Sequence, residues 1–492
     1  MKRVILVLLG AACVAGSLSA ETRKPSVFIP ISSTVVQDTN RWEIWQDNRG
    51  RFVSPLSGSQ GGGSWQGRGY LFGAGIWVGV VDSTLADTSV TWGYNPNSGA
   101  AEFAPSMPNG DTTGAIMDSL ARVYRSDIPA DTGQWPERDS LGRMIMASDQ
   151  ELWAITNDVN PIYMQAPDRP IGLQVIRRSY AWNSPGPWGD IVKMEFEVKN
   201  ITGRFLPPAR TLRKMIVGLC IDSDIGNESG SAANDLCYFD RTSGSPFPNM
   251  VVQYQLAQEP GWSNPPPYFV GFRTFLETPK ATDTVKVLDD QFPHTILPGQ
   301  PLGLTAVKFY TIQTDPSTPP ERYLLLKGMF SFSDTNDAYG GDSIPGDKRF
   351  LASCGPFDLP NDSTVRLSMY IIGGNDSSEI RRKAELLAVE SPAEPVPQRV
   401  SGMELYPVTP NPATGATLIR YALPGPSLVS LKAYDISGRL VRELDRGERP
   451  AGVHVIGWDG RNGAGLSVPG GVYLYRLEVR GFNQTRSVVL LR

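Results

Sequence analysis

The sequence predicts an all-β protein: a β-sandwich N-terminal region of one or two domains with few short helices, then a C-terminal Ig-like β-sandwich. Three observations lead there. Gly and Pro are frequent, 50 and 41 among 492 residues, yet 40% of the chain is hydrophobic, so turns are many and core-building residues remain plentiful. Val192 to Lys199 alternate without exception, apolar at even and charged at odd positions, as a strand with one buried and one wet face requires. Short runs of β-formers separated by Gly, Pro, Asn and Asp recur through residues 403–492.

The chain opens with Lys2 and Arg3, an apolar run from Val4 to Gly16, and the small residues Ser17-Leu18-Ser19-Ala20. This is the pattern of a cleavable secretory signal over residues 1–20, with cleavage after Ser19 or Ala20. The run is shorter than the roughly 20 apolar residues that span a bilayer. No second run of spanning length follows, so the expectation is a mature chain without a transmembrane segment, secreted or held at the cell surface.

Residues 21–390 form the β-rich region. "YLFGAGIWVGVV", Tyr70 to Val81, is continuously apolar with interspersed Gly, and reads as a strand buried on both faces or closely approached by another backbone. "LTAVKFYT" and "TVRLSMYII" read as further strands. "SDQELWAITND" carries a capping-box spacing from Ser148 to Glu151 and predicts a short helix, as does "SSEIRRKAELLAVE" from Ser377. A sub-boundary is placed near residues 165–185. Three prolines within Ser391 to Gly402 predict a semi-rigid spacer over 391–402.

The final module, 403–492, yields six strands in order: Thr417–Leu423, Leu428–Asp435, Arg439–Leu444, Gly452–Trp458, Val472–Val479 and Ser487–Arg492. Turn residues fill each gap, which is the spacing of an Ig-like sandwich. Asp459-Gly460 and Asn462-Gly463 suit turns that need φ > 0. "YPVTPNPATGATLIRYAL", "VSLKAYDISGRLVREL", "GVHVIGWDGRNGAGLSVPGGVYLYRLEV" and "TRSVVLLR" resemble the FlgD-type Ig-like domain and the related C-terminal sorting domains of type IX secretion substrates. The carrying residues are Asn411-Pro412, Tyr434-Asp435, Gly438-Arg439, Trp458-Asp459-Gly460 and Gly471-Val472-Tyr473. The resemblance implies an exported surface protein, with secretion machinery or cell-surface components as partners and with sorting, attachment or spacing as the module's role. "SDQELWAITND", "PIGLQVIRRSYAW", "EFEVKNITG", "GLCIDSDIG" and "ASCGPFDL" more loosely resemble β-rich exported bacterial proteins of unknown function.

The chemistry in residues 21–390 is sparse. The net charge of -4 and scattered Lys and Arg give no electrostatic footprint for nucleic acid. "CIDSDIGNESGSAANDLC" crowds Asp222, Asp224, Asn227, Glu228 and Asp235 into one loop; these are candidate ligands of a structural calcium ion, which takes six to eight oxygens, and equally the acids of a solvated turn. "SDTNDAYGGDSIPGD", Ser333 to Asp347, is a second acidic, glycine-rich stretch. Beyond calcium no cofactor is indicated. In an oxidising compartment Cys220 and Cys237 could close a disulfide worth about 3 kcal/mol, or remain buried thiols like Cys354.

The two histidines, His294 and His454, leave His-based triads and zinc sites short of parts, and no catalytic residue is named. Trp42, Trp45, Trp65, Tyr70, Trp77, Trp92 and Tyr94 either fill a large core or present rings to sugars. The leading expectation is thus a non-catalytic structural or adhesive surface protein; the alternative is a polysaccharide-binding or polysaccharide-degrading exported protein.

Overall fold

The computed structural model describes residues 33–491 apart from 57–59, 82–86, 111–119, 227–230, 241–249, 256–268, 288–293, 330–343, 389–402, 409–410, 414–416, 425–426, 450–451 and the single residues 140, 161, 166, 167, 278, 301 and 407. The signal-like segment and the proline-rich spacer therefore lie outside the described residues.

Two large antiparallel sheets dominate the body, beside a four-stranded sheet of 34–37, 42–47, 63–65 and 68–71 and a two-stranded one of 285–287 and 294–296. The larger, of nine strands, runs in the order 235–240, 250–255, 269–277, 364–374, 191–200, 173–181, 150–157 and 104–105, with 124–125 also on the 150–157 strand. The six-stranded sheet runs 306–311, 348–359, 212–223, 73–81 and 51–53, with 88–92 paired to 73–81. Their facing sides share one core, in which Met194, Phe196, Val175 and Leu367 meet Ile76, Val78, Leu219 and Phe350. Phe52 and Phe196 touch edge to face, with ring centres 5.3 Å apart. Strands 150–157 and 173–181 pair along their whole length, from Gln150 with Ala181 to Asn157 with Gln174. The range 165–185, where a sub-boundary is expected, covers the end of the connection between these two strands and the whole of strand 173–181.

Ile191–Asn200 keeps the alternation its sequence predicts, with Val192, Met194, Phe196 and Val198 in the core and charges outside. On that outer face Lys193 pairs with Glu195 at 2.8 Å, and Arg366 from the neighbouring strand reaches Glu197 at 3.2 Å. Gly73–Val81 is buried at every position, because the core covers one face and the helix Pro319–Leu326 the other. Its glycines are required by close approach: a Cβ on Gly75 would lie 2.5 Å from the Tyr94 backbone nitrogen, and one on Gly79 would lie 2.8 Å from Leu326. The covering helix escaped the sequence reading although its start signal was present. Thr318 and Glu321 close a capping box and Pro319 occupies the first turn.

The other two helix expectations divide. Ser377–Ala388 is a helix, begun by the Asp376 carboxylate, which accepts the Glu379 N–H at 2.8 Å. It packs Ile380, Ala384 and Leu387 on the nine-stranded sheet against Tyr370 and Ile372. "SDQELWAITND" is instead the strand Gln150–Asn157. Its capping geometry is real, since the Glu151 carboxylate accepts the N–H groups of Ala147 and Ser148. The next residues, Leu-Trp-Ala-Ile-Thr, alternate their sides between two buried clusters, and tertiary pairing overrides the local signal.

Glu151 is wholly buried, and desolvation pushes its carboxyl up to about 8 despite the two N–H bonds. The folded chain thus keeps a proton that the unfolded chain releases near 4.5, so this contribution to stability is complete below that pH and is lost as pH rises to about 8. Glu151→Gln keeps an acceptor without a titration. Relative to the variant, the wild type is expected to lose stability between pH 5 and 8, with a slope of at most about 1.4 kcal/mol per pH unit in urea unfolding. Parallel pH curves for the two proteins would contradict this.

The C-terminal strands form two facing sheets, 404–405/417–423/452–458 and 440–449/427–435/471–479/482–490, each written in hydrogen-bonded order. Their core, with Tyr421, Leu431, Trp458, Tyr475, Leu477 and Val488, contains only residues from 405 to 490. In the long 459–470 connection Gly460 takes φ +66° as expected, whereas the second positive φ falls on Gly465, at +77°, and not on Gly463. Asn462 explains the shift: its carbonyl accepts the Gly465 N–H and its side chain accepts from Ala464 and Leu466, placing the left-handed residue at the end of the turn.

Candidate functional site

The acidic loop lies where the ends of the two body sheets meet. Asp222 sits near the end of strand 212–223, directly opposite Arg349 in register. Its Oδ1 accepts from Arg349 Nε at 3.1 Å and its Oδ2 from the Tyr94 hydroxyl at 2.7 Å. Asp235 opens a strand of the other sheet and is fully buried. Its Oδ2 accepts the Ile225 N–H at 3.0 Å and the Gln253 amide at 3.2 Å, so it fixes the turn that follows Asp224. The backbone of Asp235 also accepts the Gly346 N–H at 3.1 Å.

That last bond brings in the second acidic stretch. Asp347, the final residue of Ser333–Asp347, stands with Asp222 and Asp224 so that one carboxylate oxygen from each lies within 4.8 Å of the others. Arg349 ties in a further carboxylate, with Nη1 3.0 Å from Asp315 and Nη2 3.8 Å from Asp347. The sequence reading missed Asp315 because it follows a short turn after strand 306–311, far from either acidic stretch, and only the pairing of Tyr310 with Arg349 carries it in. Of the five ligands expected, Asp222 and Asp224 come together, with Asp347; Asp235 instead holds the turn after Asp224, and Asn227 and Glu228 lie outside the described residues.

Burial dominates the electrostatics. Desolvation lifts Asp222 to about 6, against the opposing pull of Arg349, and lifts Asp224 and Asp315 to about 7. Asp235 is pushed well above the usual carboxylate range by the same cause. The Arg349 guanidinium rises in turn, because the attraction of Asp222, Asp315 and Asp347 outweighs its own burial.

Cys220 and Cys237 are not joined. Cys220, in the six-stranded sheet, faces the helix-covered side and lies 3.0 Å from the Tyr310 hydroxyl, while Cys237 belongs to the nine-stranded sheet. Both are buried and neither forms a disulfide, and the same holds for Cys354. The acidic loop is held by carboxylate bonds across the two sheets, so the disulfide expectation is corrected. The aromatic residues of the N-terminal part are also placed: Trp42, Trp65, Tyr70, Trp77, Trp92 and Tyr94 are buried, and Trp45 alone of the seven is partly exposed. Six of these rings fill cores and have no face free for sugar.

The C-terminal domain orders its motif residues by hydrogen bonds. Trp458 is enclosed against Tyr473 and donates its indole N–H to the Arg461 carbonyl at 2.9 Å. Asn411 clamps the last strand, accepting from Val489 and donating to the Ser487 carbonyl. Asp435 accepts from Ser437 and Arg439 and so closes the Tyr-Asp-Ile-Ser-Gly-Arg turn.

Residues 411–481 match the FlgD Ig-like domain, so the C-terminal region carries that domain. A comparison with curated proteins finds no match. Among solved structures, 94% of the chain aligns with 46% of a polysaccharide lyase at 9% identity and a TM-score of 0.24. Dimeric latent PorU from Porphyromonas gingivalis aligns over 70% of this chain and 32% of its own, at 10% identity and a TM-score of 0.17. PorZ, described as an essential bacterial surface component of the type IX secretion system of the same organism, aligns over 94% of this chain and 58% of its own, at 11% and 0.14. The chain thus spans less than half the length of the polysaccharide lyase, and no TM-score here reaches a shared overall fold. Among the described residues, no helix is long and apolar enough to cross a membrane.

Proposed function

We propose that this chain is an exported, non-catalytic structural protein whose β-sandwich body is placed at the cell surface or in the medium by its C-terminal Ig-like domain. The observation that carries the reading is the FlgD Ig-like match at 411–481, on a domain whose core, among the described residues, draws on none before Met403. A signal-like start, Lys2-Arg3 followed by an apolar run and Ser-Leu-Ser-Ala, supports export. The partners on this reading are the secretion machinery or other surface components. A domain that attaches without catalysing needs presentable strand edges and turns, and the module has both: the 440–449 and 482–490 strands edge its larger sheet, and the 459–470 connection is held by its own bonds.

The experiment is fractionation in the native host of the full chain beside a chain ending at Glu390. The truncated chain should fold and be exported, yet not reach the final location. Identical distribution of the two would end the reading.

A further inference from the structure

Asp222, Asp224 and Asp347 bring one carboxylate oxygen each within 4.8 Å of one another, Arg349 bridges Asp222 and Asp315, and the charges of Asp224 and Asp347 act on Asp235. Three oxygens there lack any hydrogen-bond partner although solvent does not reach them: Oδ1 of Asp235, of Asp315 and of Asp347. The Asp235 side chain is wholly enclosed and that of Asp315 is 4% exposed. Asp235 holds its other oxygen on the turn directly after Asp224, and the charges of Asp224 and Asp347 act on it directly. A buried carboxylate oxygen left unbonded is costly; that of Asp347 belongs to the three-acid group, and those of Asp235 and Asp315 belong to acids on which the Asp347 charge acts. The chemistry of the set, hard anionic oxygens without nitrogen or sulfur, selects a hard cation.

The geometry points to a divalent cation of the calcium class bound by Asp222, Asp224 and Asp347, where the two sheets of the body meet. Their oxygens lie within 4.8 Å of one another, about twice a Ca–O distance of roughly 2.4 Å, a spacing that one ion can bridge. The ligands come from strand 212–223, from the turn after it and from the residue before strand 348–359. An ion there would fasten the ends of two neighbouring strands of the six-stranded sheet beside Asp235 of the other sheet. The site uses no residue of the Ig-like domain, so it stands or falls separately from the proposed placement function.

The test is calorimetric titration of the full mature chain with calcium chloride after EGTA treatment and its removal. One ion per chain is expected, with a Kd within about 0.1–1 mM, the range of extracellular modules. Asp224→Asn and Asp347→Asn should each weaken binding at least tenfold. Asp362→Asn, in an exposed turn elsewhere, should leave it unchanged. Thermal melting of the unsubstituted chain in calcium against EGTA gives a second readout that needs no variant, and a rise in the melting temperature of the body is expected. Absence of both heat and melting shift up to about 10 mM calcium, tenfold beyond that range, would overturn the site, as would binding by Asp224→Asn and Asp347→Asn equal to that of the unsubstituted chain.

Discussion

Trp458→Ala is expected to unfold the C-terminal domain and leave the body intact. The indole is fully enclosed, meets Tyr473 edge to face at 5.3 Å, and donates to the Arg461 carbonyl, so the substitution opens a cavity and unties the 459–470 connection. Such a change costs about 3–5 kcal/mol, a large share of the 5–15 kcal/mol that holds a typical domain together. The body should be spared because its core and that of the domain share no residue. Among the described residues, Arg143 donates to the Pro424 carbonyl at 2.8 Å and Arg449 lies 3.9 Å from Asp149. Partly exposed pairs of this sort contribute at most about 1 kcal/mol. Calorimetry should show one of two transitions lost and the other unmoved. A common shift of both would mean that the two parts melt as one.

Arg349→Met should be the most damaging single change in the body. It removes the guanidinium that bonds Asp222 and Asp315, both nearly inaccessible, and leaves their carboxylates enclosed with the remaining acids around them. Breaking a buried ion pair from one side costs about 3–5 kcal/mol, because the charge left behind has no compensation. The readout is the urea midpoint of the body. Arg366→Met is the comparison, since its partner Glu197 lies on the solvated outer face and the pair is half exposed; that variant should lose about 1 kcal/mol or less. Equal losses in the two variants would show that the Asp222–Arg349 network contributes no more than a surface pair.

How far the sequence could be read depended on whether a residue's environment was local. The alternation of Val192 to Lys199 survives because a strand's two faces are written into its own side chains, one toward Leu367 and Val78 and one toward water. The Ig-like domain was legible strand by strand for the same reason. "SDQELWAITND" misled because its capping contact is local and true, while its strand character comes from neighbours at 124–125 and 173–181. The acidic site was half legible. Asp222, Asp224 and Asp235 were marked by crowding in one loop, but Asp347 joins them across strand pairing and Asp315 through Arg349, contacts that no spacing in the chain encodes. Cys220 and Cys237 are close in sequence and lie in different sheets, so of the two readings their spacing left open, the topology excludes the disulfide.

The central claim is that residues 403–492 place the protein, and the most direct measurement is the fraction of chain cleaved when intact cells are treated with protease, together with the fraction found in the medium. For the full chain and for a chain ending at Glu390, expressed equally in the native host, the account predicts that the full chain is largely surface-accessible or released. The shortened chain should be exported, folded and protected inside the envelope. Equal accessibility and release of the two chains would contradict it, and would leave the Ig-like domain as a structural appendage.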